Sequence, residues 1–299
     1  MALDREERTV VRAPAKVNLY LAVGARRADG YHDVETVLQA VSLCDDVVLE
    51  RACALSVTTE PGLGLPQEQN LAYRAAEALG EAIGRDPAVA IHIVKRIPAQ
   101  AGLGGASSDA AAVLLGLAHR WQLGSAALPL LAQVAAALGA DVPFFLGAGT
   151  ALLTGRGDVL SRTLATPALD LAIVRPPVSV PTGAAYMAFD RVPMTDPPGP
   201  DAMVSACESA VAAAVASALY NNMTVASTGL VPEVGNALAF LQDEPGVLGA
   251  AMAGSGSAVF AVCDSADAAE RIAAGATRLG WWGAAVRSAA TGVTVTEGE

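Results

Sequence analysis

Charge, aromatic rings and lysine are all scarce in this 299-residue chain. Charged residues make up 16% and aromatic residues 4%. Only two lysines, Lys16 and Lys95, stand against seventeen arginines. No run of about 18 apolar residues is free of charge, proline and glycine, which argues against a membrane-spanning helix. The most apolar region, Leu128 to Leu153, is broken by Gln133, Gly139, Asp141 and Pro143. The positive mean hydropathy of +0.42 therefore reflects alanine and valine spread along a soluble chain. The charged start, Met1 to Arg8, has no apolar stretch behind it and predicts no leader peptide. A net charge of −11 leaves no basic field, so nucleic acids and anionic membrane surfaces are not expected partners. The four cysteines, Cys44, Cys53, Cys207 and Cys263, form no CxxC pair and read as reduced, mostly buried thiols of a cytoplasmic protein. No spacing of histidine, cysteine and aspartate suggests zinc.

The elements that are present alternate between strand and helix periods, which predicts a mixed α and β class. Strands are predicted at 9–12, 17–23, 47–58 and 89–94. In the last, Val89, Ile91 and Ile93 alternate with Ala90, His92 and Val94. Helices are predicted at 70–83, 107–119, 126–138, 202–219, 232–241 and 266–279, with a strand at 257–263. Leu71, Ala75, Leu79 and Ile83 share one face of the first helix. The proline-rich stretch 176–200 reads as a crossover, and as a loop that can lie over a site. Asp45-Asp46 reads as a solvated turn, and Arg156-Gly157-Asp158 as a sequence coincidence with an adhesion tripeptide. A domain boundary is placed near residue 165, dividing the chain into 1–165 and 166–299.

The strongest local signal runs from Lys95 through Pro98-Ala99-Gln100-Ala101-Gly102-Leu103-Gly104-Gly105-Ala106-Ser107-Ser108 into an alanine-rich helix. A strand enters a glycine-rich turn and a helix leaves it. Three glycines let backbone N–H groups crowd together without Cβ atoms in the way. Ser107 and Ser108 are good N-cap types, and a helix N-terminus carries partial positive charge. Together these describe a phosphate cradle. The stretch is neither a Walker A loop nor a GxGxxG fingerprint. A bare tight turn without a ligand remains the other reading of three glycines.

The longer pattern resembles the second motif of the galactokinase, homoserine kinase, mevalonate kinase and phosphomevalonate kinase superfamily, the GHMP kinases. Ala13-Pro14-Ala15-Lys16-Val17-Asn18-Leu19 is similar to its first motif and Gly254-Ser255-Gly256-Ser257-Ala258-Val259-Phe260 to its third. The stretches Arg27-Ala28-Asp29-Gly30-Tyr31-His32, Gly139 to Phe145 and Val180-Pro181-Thr182 resemble the branch that phosphorylates the 2-hydroxyl of a cytidine-diphosphate-linked methylerythritol, in isoprenoid precursor synthesis. The resemblance covers essentially the whole chain. It implies an α+β, two-domain fold. The N-terminal ATP domain would be like domain 2 of ribosomal protein S5, the C-terminal substrate domain an α/β sandwich, and the active site would lie between them.

The resemblance implies transfer of the ATP γ-phosphoryl group to an alcohol, a reaction that needs positioning, charge stabilisation and a base near the hydroxyl proton. It makes Asp141 the base and Lys16 the group that holds Asp141 ionised and orients the alcohol. An N-cap role before the segment Val142–Leu146 is the other reading of Asp141. It also implies that residues 98–108 and Asn70 bind ATP, with Asn70 near the adenine, and that magnesium arrives on the nucleotide phosphates without a protein metal site. Asn70 equally reads as a simple N-cap. For a small-molecule cytidine diphosphate sugar-alcohol substrate, Tyr31 would stack on cytosine and His32 would bond its edge. Tyr186 would close the other face, Thr182 would lie at the base or ribose, and Asn18 would bond the erythritol hydroxyls. A mevalonate or homoserine kinase, and a non-catalytic nucleotide sensor, are the alternatives. The Gly30-Tyr31-His32 stretch speaks against the first, and the presence of both Lys16 and Asp141 speaks against the second.

Overall fold

A computed structural model describes residues 8–147, 149–193 and 196–296. The first seven residues, read above for a leader, and residues 194 and 195 of the proline-rich stretch lie outside the described residues.

Two long strands begin the fold, β1 (Arg8–Arg26) and β2 (His32–Arg51), joined by a turn in which Gly30 has φ +87°. They anchor a large sheet in the order β12-β1-β2-β4-β3, with β3 (Ser56–Glu60), β4 (Val89–Val94) and β12 (Thr294–Thr296). Three further strands attach to it: β5 (Thr150–Thr154) pairs with β2, β6 (Val159–Thr163) with β5, and the short β8 (Tyr220–Asn221) with β1. A second, four-stranded antiparallel sheet has the order β11-β7-β10-β9, from β7 (Asp170–Arg175), β9 (Val247–Met252), β10 (Val259–Cys263) and β11 (Trp282–Arg287). The change from one sheet to the other falls between β6 and β7, yet β8 and β12 return to the large sheet.

Three cores follow from the alternation of side chains along these strands. Helices α1 (Leu71–Ile83), α2 (Gly105–Arg120) and α3 (Leu128–Leu138) bury Ala75, Leu79, Ala111, Leu114 and Leu131 against Val11, Leu38, Leu49 and Ile91 of the large sheet. A middle core packs Val17, Leu19 and Val37 against Leu171, Ile173, Phe260 and Val262 of the small sheet. A third core covers the opposite face of the small sheet, Ala172, Val174, Val259 and Ala261. It does so with α5 (Thr182–Phe189), α8 (Thr224–Leu230), α9 (Pro232–Asp243) and α10 (Ala266–Arg278).

One exchange of faces sets up the site. Val11 and Ala13 point into the helix-covered core, whereas Ala15, Val17 and Leu19 point into the middle core. The pairing of β1 with β2 shifts register between Pro14 and Ala15. Proline has no N–H for a ladder bond and is tolerated at such an irregularity. Beyond it the even-numbered Lys16 and Asn18 take the helix-covered side.

Several sequence expectations are corrected. Strands 9–12 and 17–23 are one continuous strand, because the irregularity absorbs Pro14. Strand 47–58 is split between β2 and β3, and the start of β2 was missed because its alternation carries Asp33 and Glu35 on the exposed side. Helix 202–219 is two helices, α6 (Asp201–Ser209) and α7 (Ala212–Ser217), separated at Ala210 with φ +56°. Of the cysteines, Cys207 and Cys263 are buried, Cys44 is half-buried and Cys53 exposed, all with free thiols. Asp45 is no solvated turn residue: it is fully buried inside β2.

Candidate active site

The glycine-rich turn does not use a serine as its cap. The N-cap of α2 is Gly104, at φ +72°, with no side chain bonded to the first turn, and Ser107 and Ser108 lie inside the helix. The correction strengthens the anion reading, since among the described residues no side chain caps the first-turn N–H groups. The turn is wedged from below. A Cβ on Gly102 would lie 2.1 Å from the Ala253 carbonyl oxygen, and the Ala258 N–H donates to the Ala101 carbonyl at 3.1 Å. The glycine-serine loop that follows β9 therefore packs directly on the cradle. Asn221 ties that loop down, donating to the Met252 and Gly254 carbonyls at 2.8 and 2.9 Å. The Ser227 hydroxyl donates to the Ser255 carbonyl.

Lys16 reaches this junction from β1. Its backbone N–H donates to the Leu103 carbonyl at 2.9 Å, and its side chain is 5% exposed. The ammonium donates to Asn18 Oδ1 at 2.9 Å and lies 3.5 Å from Asp141 Oδ2. Asn18 is held in turn. Its Oδ1 accepts from the Gly254 N–H at 2.8 Å, its amide donates to Thr36 Oγ1 at 2.9 Å, and Thr36 donates to the Tyr20 carbonyl. Asp141 precedes the short helix α4 (Val142–Phe145) but makes no capping bond. Its carboxylate is one-third exposed and faces Lys16 instead.

The second lysine has a structural task. Lys95 Nζ lies 2.5 Å from Asp45 Oδ2 and 2.6 Å from Asp109 Oδ2, all three side chains being buried. Asp45 also accepts from the backbone N–H groups of Arg96 and Ile97 at 2.5 and 2.8 Å. Asp109 lacks such donors, and its Oδ1 has no partner. Burial, only partly offset by Lys95, pushes Asp109 up to about 7. Burial disfavours the Lys95 charge, but the two carboxylates outweigh it and hold its ammonium above the ordinary range. The triad ties the N-terminal part of α2 to β2 and so holds the cradle's frame.

A cleft of about 600 Å³ runs along the cradle. Lys16, Asn18, Asn70, Asp141, Thr182 and Tyr186 line it together with residues 97–107. Ser108 is the cradle residue that does not line it; its hydroxyl is buried without a partner. Asn70 is the N-cap of α1, its side chain accepting from the Ala72 N–H at 3.0 Å, so both readings of that residue fit. A second cavity of about 540 Å³ adjoins the cleft through Val34, Ala140, Arg156, Thr182 and Tyr186. It holds Tyr31, His32 and Asp190. The His32 ring lies 5.1 Å from that of Tyr186 and 6.1 Å from that of Phe189. Burial, with Asp141 nearby, raises the Tyr186 hydroxyl pKa. Tyr31 is 55% exposed, and the Arg156 guanidinium covers one of its faces at 4.9 Å.

Two residues of this cavity escaped the sequence reading. Asp190 lies 2.7 Å from His32 Nε2, across 158 residues of chain. Arg156, set aside above as part of an adhesion-like tripeptide, lines both cavities. The spacing of Tyr186, Phe189 and Asp190, one face of a helix, was the available signal for the first. Nothing local marks the second.

The chain matches the GHMP kinases N terminal domain over residues 70–149 and the GHMP kinases C terminal domain over residues 203–280. It belongs to the GHMP kinases and has their two-domain fold, mixing helix and sheet. Within that class it is 42% identical over 267 residues to a 4-diphosphocytidyl-2-C-methyl-D-erythritol kinase of Pelotomaculum thermopropionicum, spanning 88% of this chain and 91% of the relative. A protein of the same name from Nocardia farcinica is 41% identical over 272 residues, covering 89% and 88%. Among solved structures, a 4-(cytidine 5'-diphospho)-2C-methyl-D-erythritol kinase superposes with a TM-score of 0.78 at 35% identity over 93% of this chain and 98% of that one. Homoserine kinase from Cytophaga hutchinsonii shares the fold at 20% identity and a TM-score of 0.75, covering 97% and 98%.

Proposed function

We propose that this chain transfers the γ-phosphoryl group of ATP to the 2-hydroxyl of 4-diphosphocytidyl-2-C-methyl-D-erythritol, a step in isoprenoid precursor synthesis. The observation that carries the reading is the joining of two cavities. One holds the Lys16–Asp141 pair beside the cradle, and the other holds Tyr31, His32 and Tyr186. The relatives named above support the same substrate. Mevalonate and homoserine have no base to occupy the second cavity.

In this reading residues 98–107 hold the ATP phosphates, through the first-turn N–H groups of α2 and the turn before it, with Ser108 buried beneath them, and Asn70 lies at the adenine side. Asp141 accepts the proton of the 2-hydroxyl as that oxygen attacks the γ-phosphorus. The bond from the γ-phosphorus to the bridging oxygen breaks, ADP leaves, and the proton on Asp141 passes to solvent. Lys16 offers its ammonium to the charge developing between nucleophile and phosphorus, in a water-poor site where such charge is worth more than in water. Asn18 bonds the erythritol hydroxyls and Thr182 the ribose or base. Arg156, at the junction of the cavities, meets the substrate diphosphate. Magnesium bound to the nucleotide phosphates supplies further charge neutralisation. The Ser107 hydroxyl at the cradle's edge fits such a metal, and among the described residues no cluster of three or more His, Cys, Asp or Glu side chains offers a separate cage.

A coupled ADP-release assay across the cytidine compound, mevalonate and homoserine tests the reading. Turnover confined to the cytidine compound is expected. Efficient turnover of either small alcohol, with none of the cytidine compound, would overturn it.

A further inference from the structure

His32 is the first residue of β2, and its imidazole is 6% exposed. Every side chain that fixes this ring comes from one turn of chain at the end of α5. Tyr186 lies against it at 5.1 Å, Phe189 meets it edge-on at 6.1 Å, and Asp190 bonds Nε2 at 2.7 Å. Asp190 caps the C-terminus of α5, and its other oxygen lies 4.0 Å from Arg26. The second ring nitrogen, Nδ1, has no protein partner among the described residues, and it is not one of the polar atoms sealed from solvent. Both His32 and Asp190 line the cavity.

A carboxylate can only accept a hydrogen bond, so Nε2 must carry the proton. In a neutral imidazole the other nitrogen is then an acceptor. The unpartnered Nδ1 therefore presents a lone pair to whatever enters the cavity that His32 lines. Cytosine carries an amino group, a donor, at its 4-position, and uracil carries a carbonyl oxygen there. A fixed acceptor pairs with the first and meets the second lone pair to lone pair. Leaving a buried polar group unpaired is the strongest way a site rejects an isostere.

We infer that Asp190 is a positioning residue that sets pyrimidine specificity, by locking His32 in the tautomer whose Nδ1 accepts from the 4-amino group of cytosine. The inference rests on the substrate reading above. Asp190 touches His32 and acts on the base through it. Arg26 stands 4.0 Å from the carboxylate's other oxygen, and the aromatic rings of α5 pack against the imidazole.

The test measures kcat/KM for the cytidine and uridine forms of the substrate in the wild-type protein, Asp190→Ala and Asp190→Glu. It also records the 15N signature of His32 in each free protein. Wild type is expected to prefer cytidine by about 100-fold or more. In Asp190→Ala the cytidine value should fall at least tenfold while the uridine value falls less, so the ratio narrows. Asp190→Glu should restore most of the ratio. KM for ATP should not move. The nitrogen spectrum should show an Nε2–H tautomer in wild type and a mixture in Asp190→Ala. An unchanged ratio in Asp190→Ala, whether both values fall together or neither does, would overturn the inference, as would an Nδ1–H tautomer in wild type. Should wild type turn over neither pyrimidine form, the substrate reading fails, and the nitrogen spectra still decide whether Asp190 sets the tautomer.

Discussion

A single methyl group added at Gly104 tests the cradle. Gly104 sits at φ +72°, a backbone conformation that costs an L-residue about 1–2 kcal/mol. A Cβ there would not point into open phosphate space. It would lie 2.9 Å from Lys16 Cγ and 2.9 Å from Phe145 Cζ. Phe145 is fully buried, and Lys16 Cγ is the middle of a side chain pinned at its far end by Asn18, so neither yields freely. Such overpacking costs about 1–3 kcal/mol. Gly104→Ala should therefore lose roughly 2–5 kcal/mol, a large part of the 5–15 kcal/mol typical of a folded protein. The melting temperature should fall by roughly 5–15 °C. Relieving the contact also shifts Lys16, whose ammonium faces Asp141, by several tenths of an ångström. Misplacement on the scale of 1 Å can cost about 100-fold in rate. The expected kcat loss is about 10- to 100-fold at saturating ATP, measured where the variant is still folded. Gly104→Val adds branching to the same clash, so its losses should be larger and should include folding as well as ATP affinity. A Gly104→Ala protein with unchanged melting temperature and kcat would refute this account of why glycine stands there.

Asp141→Asn should fold and bind ATP but lose about 100-fold or more in kcat, and Lys16→Arg should not restore wild-type activity. A planar guanidinium presents its charge and donors differently from the compact ammonium that donates to Asn18 and faces Asp141; steady-state kinetics with ATP-binding titrations check both. The raised pKa of Asp109 means that the folded state holds a proton the unfolded chain has released above about 4. Its contribution to stability is therefore full below the unfolded value near 3.8 and is lost as pH rises through about 7, with a slope of about 1.4 kcal/mol per unit. In urea unfolding the stability of Asp109→Asn relative to wild type should rise steadily between about pH 4 and pH 7 and level off above that; a gap independent of pH would sink the assignment. Tyr31→Ala should weaken the cytidine substrate by about 1–3 kcal/mol, read from kcat/KM, and leave the KM for ATP nearly unchanged.

Motif-bearing segments were legible because their chemistry is local. A glycine-rich turn between strand and helix needs glycine wherever backbone comes close or φ is positive, and Gly102 and Gly104 stand at those points. The scarcity of lysine pointed to Lys16 and Lys95, and both proved to be committed to carboxylates. Local reasoning failed where a residue's partner is remote. Asp45 read as a solvated turn because nothing nearby announces Lys95, fifty residues on. Ser107 and Ser108 read as caps because residue type, and not backbone path, was visible.

The amino-acid sequence by itself determined the alternation of helix and strand, the acidic and lysine-poor surface, and the cradle with its neighbouring lysine. These are set by periodicity, composition and residues adjacent in the chain. Tertiary structure alone decided what faces what. An irregularity at Pro14 turns Lys16 toward Asp141, and the return of α5 brings Asp190 to His32 across 158 residues. Arg156 becomes a cleft residue only because its loop packs beside Tyr31. The physical reason is that a charged or aromatic side chain gains its role from the partner it meets, and packing chooses that partner between segments whose spacing along the chain carries no record of it.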